Sequence, residues 1–133
     1  MMPIFADTFY YLGLLNPADP SHARALAYSK DGSLRYVTTE YVLLEVGNAL
    51  CRVADRGLFV ALEAGLATAA GTTIVPASDS LWRRAISLYA KRPDKNWSLT
   101  DCASFVVMTE RNMTDALTGD HHFEQAGFTA ILK

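Results

Sequence analysis

The sequence predicts an α/β fold, a central and mainly parallel sheet with helices packed on both faces. Two observations carry that expectation. Short apolar or β-branched runs alternate with longer stretches of helical periodicity, and strands separated by helices form parallel sheets. Four carboxylates, Asp7, Glu45, Asp101 and Asp120, each lie in or beside an apolar stretch. Open parallel sheets place their ligand sites beyond the carboxyl ends of the strands, and Asp7 and Asp120 fall at such ends.

Taken in order, Pro3 to Ala6 reads as a strand that leads into a helix from Thr8 to about Leu15. Asn16-Pro17-Ala18-Asp19-Pro20 is a break, after which Asp19 caps a second helix with Pro20 in its first position, where the missing N–H costs nothing. Lys30-Asp31-Gly32 ends that helix. Leu34 to Thr38 is a second strand, followed by a long helix from about Glu40 to Arg56 that Gly57 stops. Leu58 to Ala70 is another helix, weakened by Gly65, and Thr72 to Val75 is a short β-branched strand. Ser78 or Asp79 caps a helix with Leu81, Ala85, Leu88 and Tyr89 on one stripe, ending at Arg92-Pro93. Ser98 begins the next helix. Ala116 to Thr118 and Phe128 to Leu132 are the last two strands.

The chain has 133 residues, 50% of them apolar and 20% charged, with no repeat or linker, so residues 1–133 read as one globular domain. A net charge of -2 argues against a surface built for non-specific nucleic-acid binding. It leaves a nuclease open, because bound cations change the sign of a site. Cys51 and Cys102 form no C-x-x-C pair and read as buried small hydrophobes, a usage suited to a reducing cytosol. The first apolar stretch has no preceding Lys or Arg and is interrupted by Asp7, which makes it a poor signal peptide and too short to span a membrane. A cytoplasmic protein is expected.

Each acid has a local explanation to set beside a functional one. Asp7 fits an N-cap for the helix that follows it. Ser98-Leu99-Thr100-Asp101 has the spacing of a capping box, and Asp120 after Gly119 fits a turn. Glu45 is different, since its helical neighbours Tyr41, Val42, Asn48 and Ala49 offer no salt-bridge partner. On a largely apolar face it needs a partner from elsewhere in the fold. Two carboxylates about 5 Å apart repel by roughly 0.8 kcal/mol in water and about 3 kcal/mol at an effective dielectric near 20. A cluster of four therefore stays partly protonated or recruits Mg²⁺ or Mn²⁺, which prefer oxygen ligands.

In order and spacing, FADTFYYLGLLNPADPSHARA, TTEYVLLEVGNAL, WSLTDCASFVVM and ALTGDHHFEQAGF resemble the PIN-domain ribonucleases, and within them the VapC-type toxins of prokaryotic toxin–antitoxin pairs. The likeness covers nearly the whole chain. It implies a three-layer α/β/α fold, Mg²⁺- or Mn²⁺-dependent endoribonuclease activity on RNA, a cognate VapB-like antitoxin and a homodimer. Carried across, it makes Asp7, Glu45, Asp101 and Asp120 the catalytic, metal-binding acids, with Asp7 central. Thr8 and Thr100 stand where the family has Ser or Thr, and are candidates for holding waters or phosphate oxygens. Thr100 serves equally well as part of a helix cap.

Arg83, Arg84, Lys91, Arg92, Lys95 and Arg111 read mostly as solvated helix faces, His121 and His122 as exposed or substrate-edge residues, and Trp82 and Trp97 as packing. Other classes remain in view. A receiver-like domain also sets acids at strand ends, but Asp7 lacks an adjacent acid. A dehalogenase-type phosphatase wants D-x-D, and position 9 is Phe. A hydrolase built on Cys102 and His121 lacks a nucleophile signature. A catalytically inactive metal-binding or signalling module would keep the fold without the chemistry.

Overall fold

A computed structural model describes residues 2–133 of the chain. Its strands are β1 (Ile4–Ala6), β2 (Tyr36–Thr39), β3 (Thr72–Val75), β4 (Asp115–Leu117) and β5 (Thr129–Ala130). Its helices are α1 (Thr8–Leu15), α2 (His22–Ser29), α3 (Glu40–Ala49), α4 (Arg56–Thr68), α5 (Asp79–Lys91), α6 (Leu99–Glu110) and α7 (His121–Gln125). The strand order is β3-β2-β1-β4-β5, and every neighbouring pair is parallel. The chain winds outward from β1 through β2 to β3, then returns to the other side of β1 for β4 and β5. That reversal opens a crevice at the carboxyl ends of β1 and β4, the place where such sheets take ligands.

The central strands are buried on both faces, as the covering helices require. Phe5, Ala6, Ala116 and Leu117 are wholly inaccessible, and Tyr11, Val42, Val46, Leu81, Phe105, Met108 and Phe123 pack around them. Each large side chain so buried contributes roughly 1.5–3 kcal/mol relative to exposure. Two bonds then fasten the end of β1. Thr38 Oγ1 donates to the Ala6 carbonyl at 2.8 Å, and the Asp7 amide donates to the Leu117 carbonyl at 3.4 Å. The Ala6–Asp7 peptide is thereby tied to both neighbouring strands.

The elements appear in the expected order, with corrections at their ends. The second helix starts at His22, because Asp19 spends its carboxylate on the Ser21 amide (2.8 Å) in a turn that precedes it. The helix expected over 40–56 stops at Ala49. Arg56 donates to the Cys51 carbonyl at 2.8 Å, and residues 50–55 turn the chain so that α4 doubles back on α3. Phe59 then lies against Gly47, where a Cβ would sit 3.2 Å from the ring. Gly57 consequently falls inside the first turn of α4 rather than stopping α3. On α5, Leu81 and Ala85 are buried as expected, but Tyr89 is exposed. Cys102 is buried as expected, but Cys51 is exposed, a further correction, because Cys51 lies in the turn after α3.

One helix has no counterpart in the sequence reading. Five residues, 121–125, are too few to show periodicity, and α7 is held by its ends. Asp120 caps it, and Gly127 closes it at φ 96°, with the Gly127 amide on the Glu124 carbonyl (3.0 Å) and the Phe128 amide on the Phe123 carbonyl (3.0 Å). These are the paired bonds of a Schellman motif, which explains the A-G-F that ends the last resemblance segment.

Candidate active site

Asp7 leaves β1 at the N-cap position of α1, yet its side chain makes no capping hydrogen bond. It is 5% exposed, and Oδ2 instead accepts from Thr118 Oγ1 at 2.9 Å. The same Thr118 oxygen accepts from the Asp120 amide at 3.0 Å. One hydroxyl thus ties the end of β1 to the turn that follows β4. Burial pushes the Asp7 carboxyl up to about 7, helped by the charges of Asp101 and Glu45 and opposed by the Thr118 hydrogen bond and the Thr8 amide.

Asp101 forms the capping box anticipated from its spacing. Its amide donates to Ser98 Oγ at 3.0 Å, and its Oδ2 accepts from the Ser98 amide at 3.1 Å. That same Oδ2 lies 3.0 Å from His122 Nδ1. Burial raises the Asp101 carboxyl, the Ser98 and His122 bonds lower it, and the charge of Asp120 raises it again. Asp120 caps α7, with Oδ1 accepting from the His122 amide at 2.9 Å. The capping and turn explanations therefore hold for Asp101 and Asp120, without using up their acidity. In each of Asp7, Asp101 and Asp120 one oxygen takes the protein's hydrogen bonds, and the other is left for something else.

Glu45 corrects an expectation. It is exposed on the second turn of α3, so it needs no compensating partner for burial. It nevertheless lies near enough for its charge to raise the pKa of Asp7. The four acids thus share one electrostatic neighbourhood, bound by hydrogen bonds at Asp7, Asp101 and Asp120 and by charge alone at Glu45. They do not close into a tight ring of ligand atoms. Among the described residues, the set that lies within 4.8 Å is Asp120, His121 and His122.

The histidine pair also departs from expectation. His121 is exposed, but His122 is largely buried and sits between two of the acids, with Nδ1 3.6 Å from Asp120 Oδ1 as well as 3.0 Å from Asp101. Sequence reasoning missed it, because the partner at position 101 is 21 residues away and on another helix. Trp97 is buried as a packing residue, while Trp82 is 40% exposed.

A divalent cation fits this donor set. The acids supply hard oxygen ligands, and among the described residues no Lys or Arg pairs with any of them. Beside Asp7, Thr8 Oγ1 is buried without a hydrogen-bond partner. An unpartnered buried hydroxyl costs about 1–3 kcal/mol, a cost that a bound ion's water or a phosphate oxygen removes. Thr100 is half-buried on the first turn of α6, one residue before Asp101.

An acid-rimmed crevice on a five-stranded parallel sheet defines the class, and the match to known sequences agrees with it. The chain belongs to the PIN domain family, which it matches over residues 4–129. Among individual proteins it is similar to the 23S rRNA-specific endonuclease VapC20 of Mycobacterium tuberculosis, with 27% identity over 129 residues, 96% of this chain and 97% of that one. The crystal structure of VapC20, described as a Sarcin-Ricin loop cleaving toxin, superposes with a TM-score of 0.84 at 25% identity, covering 95% of this chain and 96% of that one. FitAcB from Neisseria gonorrhoeae shares the fold, with a TM-score of 0.63 at 20% identity over 96% of this chain and 95% of that one.

Proposed function

We propose that this chain is a metal-dependent endoribonuclease of one PIN domain, the toxin of a type II toxin–antitoxin pair, using Mg²⁺ or Mn²⁺. The observation that carries the reading is the set of four acids, none paired with Lys or Arg among the described residues, at the crevice beside β1 and β4. Similarity to an RNA endonuclease along nearly the whole chain supports it.

Asp7 is the central ligand, held by Thr118, with Asp101 and Asp120 each offering the oxygen their caps leave free. A divalent ion held by these residues would supply acidity to a bound water and offset charge on the phosphate. Thr8 and Thr100, next in sequence to Asp7 and Asp101, are the candidate hydroxyls for donating to a phosphate oxygen. Glu45, exposed at the rim, orients the attacking water and accepts its proton, a role in which Asp101 is the alternative. The test is cleavage by the purified chain of total RNA that includes ribosomal RNA. Cleavage that needs added Mg²⁺ or Mn²⁺ and stops with chelator supports the reading. Intact RNA under all metal conditions refutes it.

Control by a VapB-like antitoxin belongs to the same proposal. Arg on such a partner pairs with carboxylates in a planar fork. An apolar segment of the partner needs a groove, expected from the sequence between the helices at 8–15 and 40–56. An open groove of about 710 Å³ lies between α3 and α4, with Leu43, Leu44, Phe59 and Val60 in its lining. Co-purification with the product of the adjacent gene, with loss of cleavage, tests the partner. Sedimentation tests the homodimer. No helix among the described residues is long and apolar enough to cross a membrane.

A further inference from the structure

We infer that His122 is a positioning residue that holds Asp101, and with it the rim between α6 and α7, in the geometry that receives the cation. This rests on the reading of the four acids as a metal site. Among the described residues, His122 is the side chain that reaches two of the acids from one ring, with Nδ1 3.0 Å from Asp101 Oδ2 and 3.6 Å from Asp120 Oδ1, while its own amide donates to Asp120 Oδ1 at 2.9 Å.

The chemistry follows from which atom donates. A carboxylate oxygen only accepts, so Nδ1 facing it carries the hydrogen. Asp101 Oδ2 then takes two hydrogen bonds, from the Ser98 amide and from His122 Nδ1. The Ser98 bond belongs to α6 itself and fixes Asp101 only relative to its own helix. The His122 bond comes from α7 and fixes Asp101 relative to Asp120, and so across the crevice. Both bonds go to Oδ2 and leave Oδ1 as the oxygen that could take a cation. Ligand-orienting partners of this kind are worth roughly 10- to 100-fold in metal affinity.

The experiment is Mn²⁺ titration of the full chain by calorimetry, with RNA cleavage measured in parallel, for the wild type and for H122A, H122N and H122Q. Asn places its amide nitrogen about where Nδ1 stands, and Gln places its own nearer to Nε2. The expected result is a 10- to 100-fold weaker Mn²⁺ affinity in H122A and H122Q and a near-normal affinity in H122N. A residue that merely packs would not separate Asn from Gln, and that pair decides the matter even if H122A fails to fold. Equal affinities in H122N and H122Q, or an H122A chain that folds and binds Mn²⁺ like the wild type, would overturn the role of His122 while leaving the metal site standing. A wild-type chain that binds no Mn²⁺ overturns both.

Discussion

The crevice at β1 and β4 and the hairpin of α3 and α4 break the ordinary rule of burial in opposite directions. At the crevice, acids are inside, with Asp7 5% and Asp101 9% exposed. On the hairpin, hydrophobics are outside, with Leu44, Val53, Leu58 and Val60 exposed and no residue of α4 buried. Each departure costs free energy in the isolated chain. The two lessons differ. A buried acid asks for a cation at a fixed point, so its environment is rigid and hydrogen-bonded. An exposed apolar face asks only for area, and the turn at 50–55 simply leaves it uncovered.

The largest expected effect breaks the crevice. Asp7→Asn keeps the shape of the side chain and lets Thr118 still donate to it. Metal-dependent cleavage should fall to the level of the chelated wild type, measured on a chain whose circular dichroism is unchanged. Full activity in that variant would remove Asp7 from the site.

The next effect concerns pH. Without metal, the folded carboxyl of Asp7 holds its proton up to about 7, whereas the unfolded one releases it near 3.8. Between those values the folded state binds more protons, so metal-free stability falls as pH rises from about 4 to about 7, by up to a few kcal/mol. Mn²⁺ acts in the opposite sense, because it needs the ionised carboxylate. Melting in chelator should therefore show a lower Tm at pH 8 than at pH 5, a difference that Asp7→Asn flattens. At pH 8, Mn²⁺ should add about 2.7 kcal/mol at a free concentration 100 times its Kd. A wild-type Tm indifferent to both pH and Mn²⁺ would contradict a buried, ion-accepting Asp7.

A smaller effect sits at the edge of the crevice. A Cβ at Gly119 would lie 2.5 Å from Phe9 Cζ, the far end of an exposed side chain, so Gly119→Ala displaces a ring that can swing aside, at a cost in denaturant unfolding below the ~1–3 kcal/mol of overpacking a closed core. The smallest effect comes from the hairpin. Val60→Asp should shift the stability of the free chain by no more than about 0.5 kcal/mol, yet weaken capture of the antitoxin proposed above. A large loss of stability there would mean that the α4 face is covered within the chain.

The legibility of the two regions in the sequence also differs. The strand–helix alternation, and the carboxylates placed at strand ends, were readable because each rests on local pattern. The bend at 50–55 was not, because Val46, Leu50, Val53 and Ala54 keep a helical spacing up to the break read at Gly57, and the contacts that mark the turn, Arg56 on the Cys51 carbonyl and Phe59 on Gly47, join residues on either side of it. His122 was not readable either, since its meaning lies in Asp101 on another helix. Glu45 was misjudged because Val42, Leu43 and Val46, its apolar neighbours in sequence, turn inward from α3 while Glu45, Asn48 and Ala49 turn outward.

The bond between Thr118 and Asp7 spans 111 residues, and that separation has a consequence during synthesis. At about 5–20 residues per second on the ribosome, on the order of ten seconds pass between making the first acid and making the hydroxyl that fixes it. Until β4 exists, β1 has a neighbour on one side only, and Asp120 and His122 have not been made. A nascent or prematurely terminated chain therefore carries its acids unassembled.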